Sequence, residues 1–133
     1  MDGKTLMSIA EKARKTAYAP YSNYKVGCAL LASDGKVYTG INIENSAFTP
    51  TNCAERTAIF KAVSDGQTKF DAIAICGGKA DTIEFCAPCG VCRQVMSEFC
   101  SADFKVYLTD GKEIKEYSFS SLFPFAFRLI RSR

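Results

Sequence analysis

The chain carries seven cysteines, Cys28, Cys53, Cys76, Cys86, Cys89, Cys92 and Cys100, and not one histidine. Ser-His and Cys-His nucleophile pairs are therefore excluded, as is every zinc site that uses imidazole. Glu, Asp, Lys, Tyr and Cys remain as the side chains for proton transfer. Cys89-Gly90-Val91-Cys92 follows Pro88. Proline is favoured in the first turn of a helix, so the pattern predicts a helix that Pro88 opens and that runs to about residue 99. One turn puts its first and fourth residues on the same side, and the unpaired N–H groups of a helix start favour thiolate over thiol. Cys53 lies at a second predicted helix start, after Thr49-Pro50-Thr51-Asn52, and is the natural third sulfur. Sulfurs from two helix starts reach one tetrahedral ion, at roughly 2.3 Å, only if those starts meet in the fold.

Three protein ligands leave zinc's fourth position to water, the arrangement of a catalytic site. Glu55, two residues after Cys53, is placed to take a proton from that water. Alone, Glu55 would read as a solvated helix-start carboxylate; between Cys53 and Arg56 it reads as a proton carrier. Cys86 is the competing feature. As a fourth ligand it would close the shell and leave a structural zinc module for binding partners, whereas its place before Pro88 suits a loop thiol. Cys28, Cys76 and Cys100 fall on apolar segments and read as small core residues. Zinc with three thiolates carries a net negative charge. Arg56, three residues from Cys53 on the same helical face, is expected to offset it together with the two helix N-termini. Arg93 is a second candidate for that role and equally a surface arginine.

With 133 residues, 47% hydrophobic and 23% charged, the chain reads as a single globular domain over 1–133. Its 17 basic and 14 acidic residues leave +3, much of it in Arg128, Arg131 and Arg133. No basic stripe interleaved with aromatics is present, so no nucleic-acid partner is expected. Neither a secretory segment nor a membrane-spanning run is found, which implies a cytoplasmic protein without membrane contact. In that reducing compartment clustered cysteines bind metal or do chemistry rather than form disulfides. Apolar periodicity predicts a helix over 3–17, strands over 25–32 and 37–42 joined at Asp34-Gly35, and a helix through Ala54, Ala58, Ile59, Ala62 and Val63 that Gly66 stops. A strand over 70–76, bounded by Gly77-Gly78, precedes the Pro88 helix. Strands over 105–109 and 113–117 and a short helix over 120–123, capped by Ser118, follow. This alternation implies an α/β fold, a three-layer α/β/α sandwich around a mixed sheet of about five strands.

Cys53-Ala54-Glu55-Arg56 and Pro88-Cys89-Gly90-Val91-Cys92-Arg93-Gln94 together resemble the cytidine deaminase family in its three-cysteine zinc form. Ala19-Pro20-Tyr21-Ser22-Asn23-Tyr24-Lys25-Val26-Gly27 and Asn42-Ile43-Glu44-Asn45 are similar to the same family, in the same order. The resemblance implies a small homotetrameric hydrolase of pyrimidine salvage with one Zn2+ per subunit on Cys53, Cys89 and Cys92. Zinc-bound hydroxide would attack C4 of cytidine or 2′-deoxycytidine, with Glu55 shuttling protons, to give the uracil nucleoside and ammonia. It also implies Asn42 and Glu44 on the ribose hydroxyls, Ala54 at the substrate, and Tyr24 against the base where relatives usually carry Phe. Phe48, often Tyr in relatives, and Phe127 match positions that reach into neighbouring subunits' sites. Phe125 stands where a small residue is common, and Phe123, Phe125 and Phe127 read equally as core or interface residues. The alternative within this chemistry is a deaminase of a cytosine-nucleoside antibiotic.

Overall fold

The alternation of side chains along the apolar strands sends one set to each face of a sheet, and each face receives its own helices. The computed structural model describes residues 1–129, so Arg131 and Arg133 lie outside the described residues. The elements are α1 (Gly3–Arg14), β1 (Tyr24–Ala32), β2 (Val37–Ile41), α2 (Ala54–Ser64), β3 (Phe70–Lys79), α3 (Gly90–Phe99), β4 (Lys105–Thr109), β5 (Ile114–Ser118) and α4 (Phe119–Leu122). The strands form one sheet in the order β2-β1-β3-β4-β5. β3 and β4 are parallel and every other neighbouring pair is antiparallel. Cys28, Leu30, Ile73, Ile75, Val106 and Leu108 pack with Ala58, Ile59, Ala62 and Met96 of α2 and α3. The intervening Ala29, Ala72, Ala74 and Cys76 pack with Leu6, Met7 and Ala10 of α1. The three-layer mixed-sheet architecture anticipated from the sequence is thus the one that forms.

Three boundaries differ from the sequence reading by two residues or more. α1 stops at Arg14, not residue 17, because the chain leaves the helix to pair elsewhere. The Tyr18 N–H donates to the Asn42 carbonyl at 3.0 Å, and the Tyr18 carbonyl accepts from Glu44 N–H at 2.9 Å. β3 continues through Gly77-Gly78 to Lys79, paired with the start of β1. α3 begins at Gly90, with Cys89 rather than Pro88 at its threshold.

Arg14 is a buried anchor that apolar periodicity does not reveal. Its Nε donates to the Lys25 carbonyl at 2.8 Å, and its Nη2 reaches the carbonyls of Gly78, Ala80 and Thr82. One guanidinium thereby ties the end of α1 to the start of β1 and to the turn after β3. Hydrogen bonds from a charged donor are worth about 1.5–3 kcal/mol.

Two glycines let helices lie directly on strands. A Cβ at Gly27 would fall 2.4 Å from the Ala10 carbonyl oxygen of α1, and one at Gly40 2.2 Å from that of Ala54 in α2. Gly40→Ala should therefore cost about 1–3 kcal/mol of stability through overpacking. A denaturant midpoint equal to the parent's would show that α2 does not bear on β2 there.

Candidate metal centre and active site

β2 and β3 run in the same direction, and the helices that follow them, α2 and α3, start on one face of the sheet beyond the strands' carboxyl ends. Open α/β sheets gather ligands in that crevice. Both helices have cysteine at the N-cap position, and only Cys89 caps through its sulfur. Cys53 is the N-cap of α2, and Cys89 is the N-cap of α3, its sulfur accepting the Cys92 N–H at 3.5 Å. The Cys89 sulfur takes the capping position that Ser or Asp oxygens usually hold, and Pro88 is buried just ahead of it.

The sulfurs of Cys53, Cys89 and Cys92 all lie within 4.8 Å of one another, the one such cluster among the described residues. Cys53 and Cys89 are 3.7 Å apart, sulfur to sulfur. Two ligands at about 2.3 Å from a tetrahedral zinc stand about 3.8 Å apart, so the spacing suits that ion. The hydrogen bond from Cys92, with those from Arg56 and Cys89, lowers the Cys53 thiol to about 5 against the opposing effect of burial. The same Cys53–Cys92 bond, with burial, pushes the Cys92 thiol up. Metal binding displaces a proton shared in this way.

Cys86 stays out of the cluster. A Cβ on Gly77 would fall 2.8 Å from its sulfur, and burial and the nearby Glu55 push its thiol up to about 11. Arg56 donates from Nη2 to the Cys53 sulfur at 3.3 Å. Its Nε is buried without a partner, alone in this among the described side chains. Such an orphan costs about 1–3 kcal/mol or more, so the guanidinium is held here at some expense to stability. Arg93 turns away from the sulfurs towards two backbone carbonyls.

Glu55 follows Cys53 into the first turn of α2 and is 4% exposed. Burial raises its carboxyl to about 7, where a carboxyl both takes and releases protons at neutral pH. Beneath it the Cys28 thiol donates to the Ala54 carbonyl at 3.1 Å.

Tyr24, Asn42, Glu44, Ala54, Glu55, Cys53 and Cys89 line one cleft of about 260 Å³. Cys86, Ser22, Val26, Thr51, Asn52 and Ala87 complete its wall, and none of these thirteen residues is Lys or Arg. Asn42 accepts from Val26 N–H at 2.9 Å and donates to the Tyr24 carbonyl at 2.8 Å, which leaves one amide N–H for a ligand. One Glu44 oxygen accepts from Tyr21 and Ser22 N–H at 2.9 and 3.1 Å, and the other from the Ser22 hydroxyl. The Ser22 bond leads in holding the Glu44 carboxyl below its usual range. Burial, then Cys86, raise the Tyr24 phenol to about 12, so it remains a neutral hydroxyl. Ser22 was not singled out from the sequence. Its signal was Asn23, which takes φ 56° and turns Ser22 and Tyr24 to the cleft; asparagine tolerates that left-handed conformation. Phe48 and Phe127 do not line the cleft. Phe48 borders an adjoining hollow with Tyr21 and Asn45, and the Phe127 carbonyl accepts from Gln94 Nε2 at 3.0 Å.

Residues 1–108 match the family model described as the cytidine and deoxycytidylate deaminase zinc-binding region. The chain is 54% identical over 128 residues to a cytidine deaminase of Sporosarcina psychrophila, covering 96% of this chain and 92% of the relative. A cytidine deaminase of Halalkalibacterium halodurans is 52% identical, with 96% and 95% covered. Among solved structures, the cytidine deaminase from Burkholderia pseudomallei superposes with a TM-score of 0.87 at 45% identity, covering 96% of this chain and 100% of that one. That from Mycobacterium tuberculosis gives 0.82 at 33% identity, with 97% and 99% covered. The zinc-binding match and the sulfur geometry agree on zinc as the metal. Elemental analysis should find one zinc per chain, retained by Cys86→Ala and lost by Cys89→Ala. Loss of zinc from Cys86→Ala would make the shell a closed one.

Proposed function

The chain belongs to the cytidine deaminase family, and from that premise we propose that it hydrolyses cytidine and 2′-deoxycytidine to uridine and 2′-deoxyuridine with release of ammonia. The carrying observation is that buried Glu55, the cysteines Cys53 and Cys89, and the polar Asn42 and Glu44 all line one cleft. Zinc on Cys53, Cys89 and Cys92 supplies the Lewis acidity that makes water nucleophilic at neutral pH. Glu55 takes a proton from the attacking water, delivers it to N3 of the base, and carries the second proton to the departing amino group. Water adds at C4 and the C4–N bond breaks, so that the water oxygen becomes the C4 carbonyl oxygen, one of its protons stays on N3 and the other leaves with ammonia.

Asn42 and Glu44 bind the ribose hydroxyls, the amide through its remaining N–H and the carboxylate as an acceptor. Glu44 is already fixed by Ser22 and Tyr21, so it meets the sugar in a set orientation. Tyr24 packs against the base, and the backbone at Ala54 forms the floor beside it. Arg56, with the two helix N-termini, offsets the surplus negative charge of the thiolates. The absence of Lys and Arg from the cleft wall favours a nucleoside over a nucleotide or a polynucleotide. Phe48, Phe125, Phe127 and Leu129 are 87%, 104%, 68% and 72% exposed, which supports a homotetramer in which Phe48 and Phe127 enter neighbouring sites. No helix among the described residues is long and apolar enough to cross a membrane. The cytoplasm and pyrimidine salvage are the setting in which such a reaction belongs.

Glu55→Ala should keep its zinc and fold while turnover falls by about 10²–10⁴-fold, read from ammonia release and metal content. Loss of zinc from that variant would make Glu55 a ligand and this mechanism wrong. Offered cytidine, deoxycytidine, cytosine and dCMP, the protein should turn over both nucleosides and handle dCMP at least about tenfold less well, because its phosphate meets Glu44 without a cation. Equal use of dCMP would refute the sugar pocket.

A further inference from the structure

Arg93 lies on α3 one turn beyond Cys89, and it holds the backbone on both sides of that cysteine. Its own N–H donates to the Cys89 carbonyl at 3.0 Å. Its Nε returns to the Pro88 carbonyl at 2.7 Å, and its Nη1 donates to the carbonyl of Leu122, the last residue of α4. The two peptide groups that flank the Cys89 Cα are thus both bonded to one residue, and that residue is bonded to the C-terminal segment.

Cys89 needs such a brace. It is exposed, whereas Cys53 is half-buried and Cys92 is buried in the core. The next residue, Gly90, has nothing within 4 Å of where a side chain would begin, so that side of the turn is unsupported. Packing alone does not hold this sulfur.

We propose that Arg93 is a positioning residue of the metal centre, which sets the peptide planes around Cys89 and links them to the seat of the C-terminal segment on α3. The proposal rests on Cys89 being a zinc ligand. Arginine suits the task because its planar fork points separate donors at the Pro88 and Leu122 carbonyls, whereas an ammonium serves one of them. Without the fork the Pro88 carbonyl loses its side-chain donor, the peptide ahead of Cys89 is held less firmly, and zinc would be held by two well-placed sulfurs and one looser one.

The test uses zinc-loaded wild type, Arg93→Lys, Arg93→Met, Gln94→Ala and Gly27→Ala, each mixed with excess chromogenic chelator. Zinc release is followed, with thermal midpoints and the kcat and KM for cytidine measured alongside. Both Arg93 variants should release zinc about tenfold faster than wild type, with kcat reduced and KM within about twofold. Gln94→Ala, which loses the ties to Phe127 and to the Ser97 hydroxyl but none to the peptides around Cys89, should release zinc at the wild-type rate. Gly27→Ala strains the opposite face of the sheet, lowers the midpoint, and should leave release unchanged. Release from Arg93→Lys at the wild-type rate, or no faster than from Gly27→Ala, overturns the proposal, and the lysine variant decides if Arg93→Met does not fold. Retention of a full equivalent of zinc by Cys89→Ala would instead overturn the ligand assignment beneath it.

Discussion

The first turn of α2 rests on β2 at Gly40 with no side chain between them, and the place of Cys53, Ala54 and Glu55 follows from that contact. A helix laid on a sheet normally stands off by the thickness of two side-chain layers. Here the Ala54 carbonyl occupies the space a Cβ would take, and the Cys28 thiol beneath donates to it. The turn is fixed from below, so its side chains and free N–H groups point to the crevice. α3 starts beside it because β3 and β2 run the same way and their following helices return on the same face. The sulfur cluster is a product of sheet topology and one missing methyl group.

Electrostatics then shape the site. Sulfur anions gathered in a half-buried cleft repel one another, and three features of the chain oppose that repulsion. Two are the helix N-termini, each with one of the cysteines at its N-cap position. The third is Arg56, which gives a hydrogen bond to Cys53 and leaves its Nε buried without a partner. The orphaned Nε is what it costs to hold a guanidinium against that sulfur. Glu55 meets the opposite treatment: burial lifts its carboxyl towards neutrality while the thiol of Cys53 is driven far below its ordinary value. Environment alone thus pushes two neighbouring residues in opposite directions, as the proposed roles of proton carrier and metal ligand require.

Two arginines brace the frame without touching the sulfurs. Arg14 gathers backbone carbonyls from β1 and from the turn after β3, the strands that carry Tyr24 and the wall around Cys86. Arg93 does the same for the peptides around Cys89 and the end of α4. Both sit at half-regular positions of amphipathic helices, where an arginine reads from sequence as a solvated surface residue. Nothing in the helical pattern distinguishes them, since their partners are backbone carbonyls outside their own helices, some of them distant in the chain.

The sequence by itself determined the chemistry that this protein can carry. Seven cysteines without histidine, a Cys-x-Glu-Arg stretch and a Cys-x-x-Cys stretch named the candidate ligands, proton carrier and charge compensator, because spacing within one helical turn is a local property. Apolar alternation and turn residues likewise set the order of strands and helices. Only the tertiary structure decided which sulfurs meet: Cys86, three residues from Cys89, is turned to Gly77 and Tyr24, whereas Cys53, far away in the chain, comes within 3.7 Å of Cys89. It also decided that Pro88 stays outside α3, that Ser22 steadies Glu44, and that Arg93 grips the backbone and no sulfur. The Cys53–Cys89, Ser22–Glu44 and Arg93–Leu122 contacts join segments remote in sequence, and a one-dimensional pattern carries no term for them.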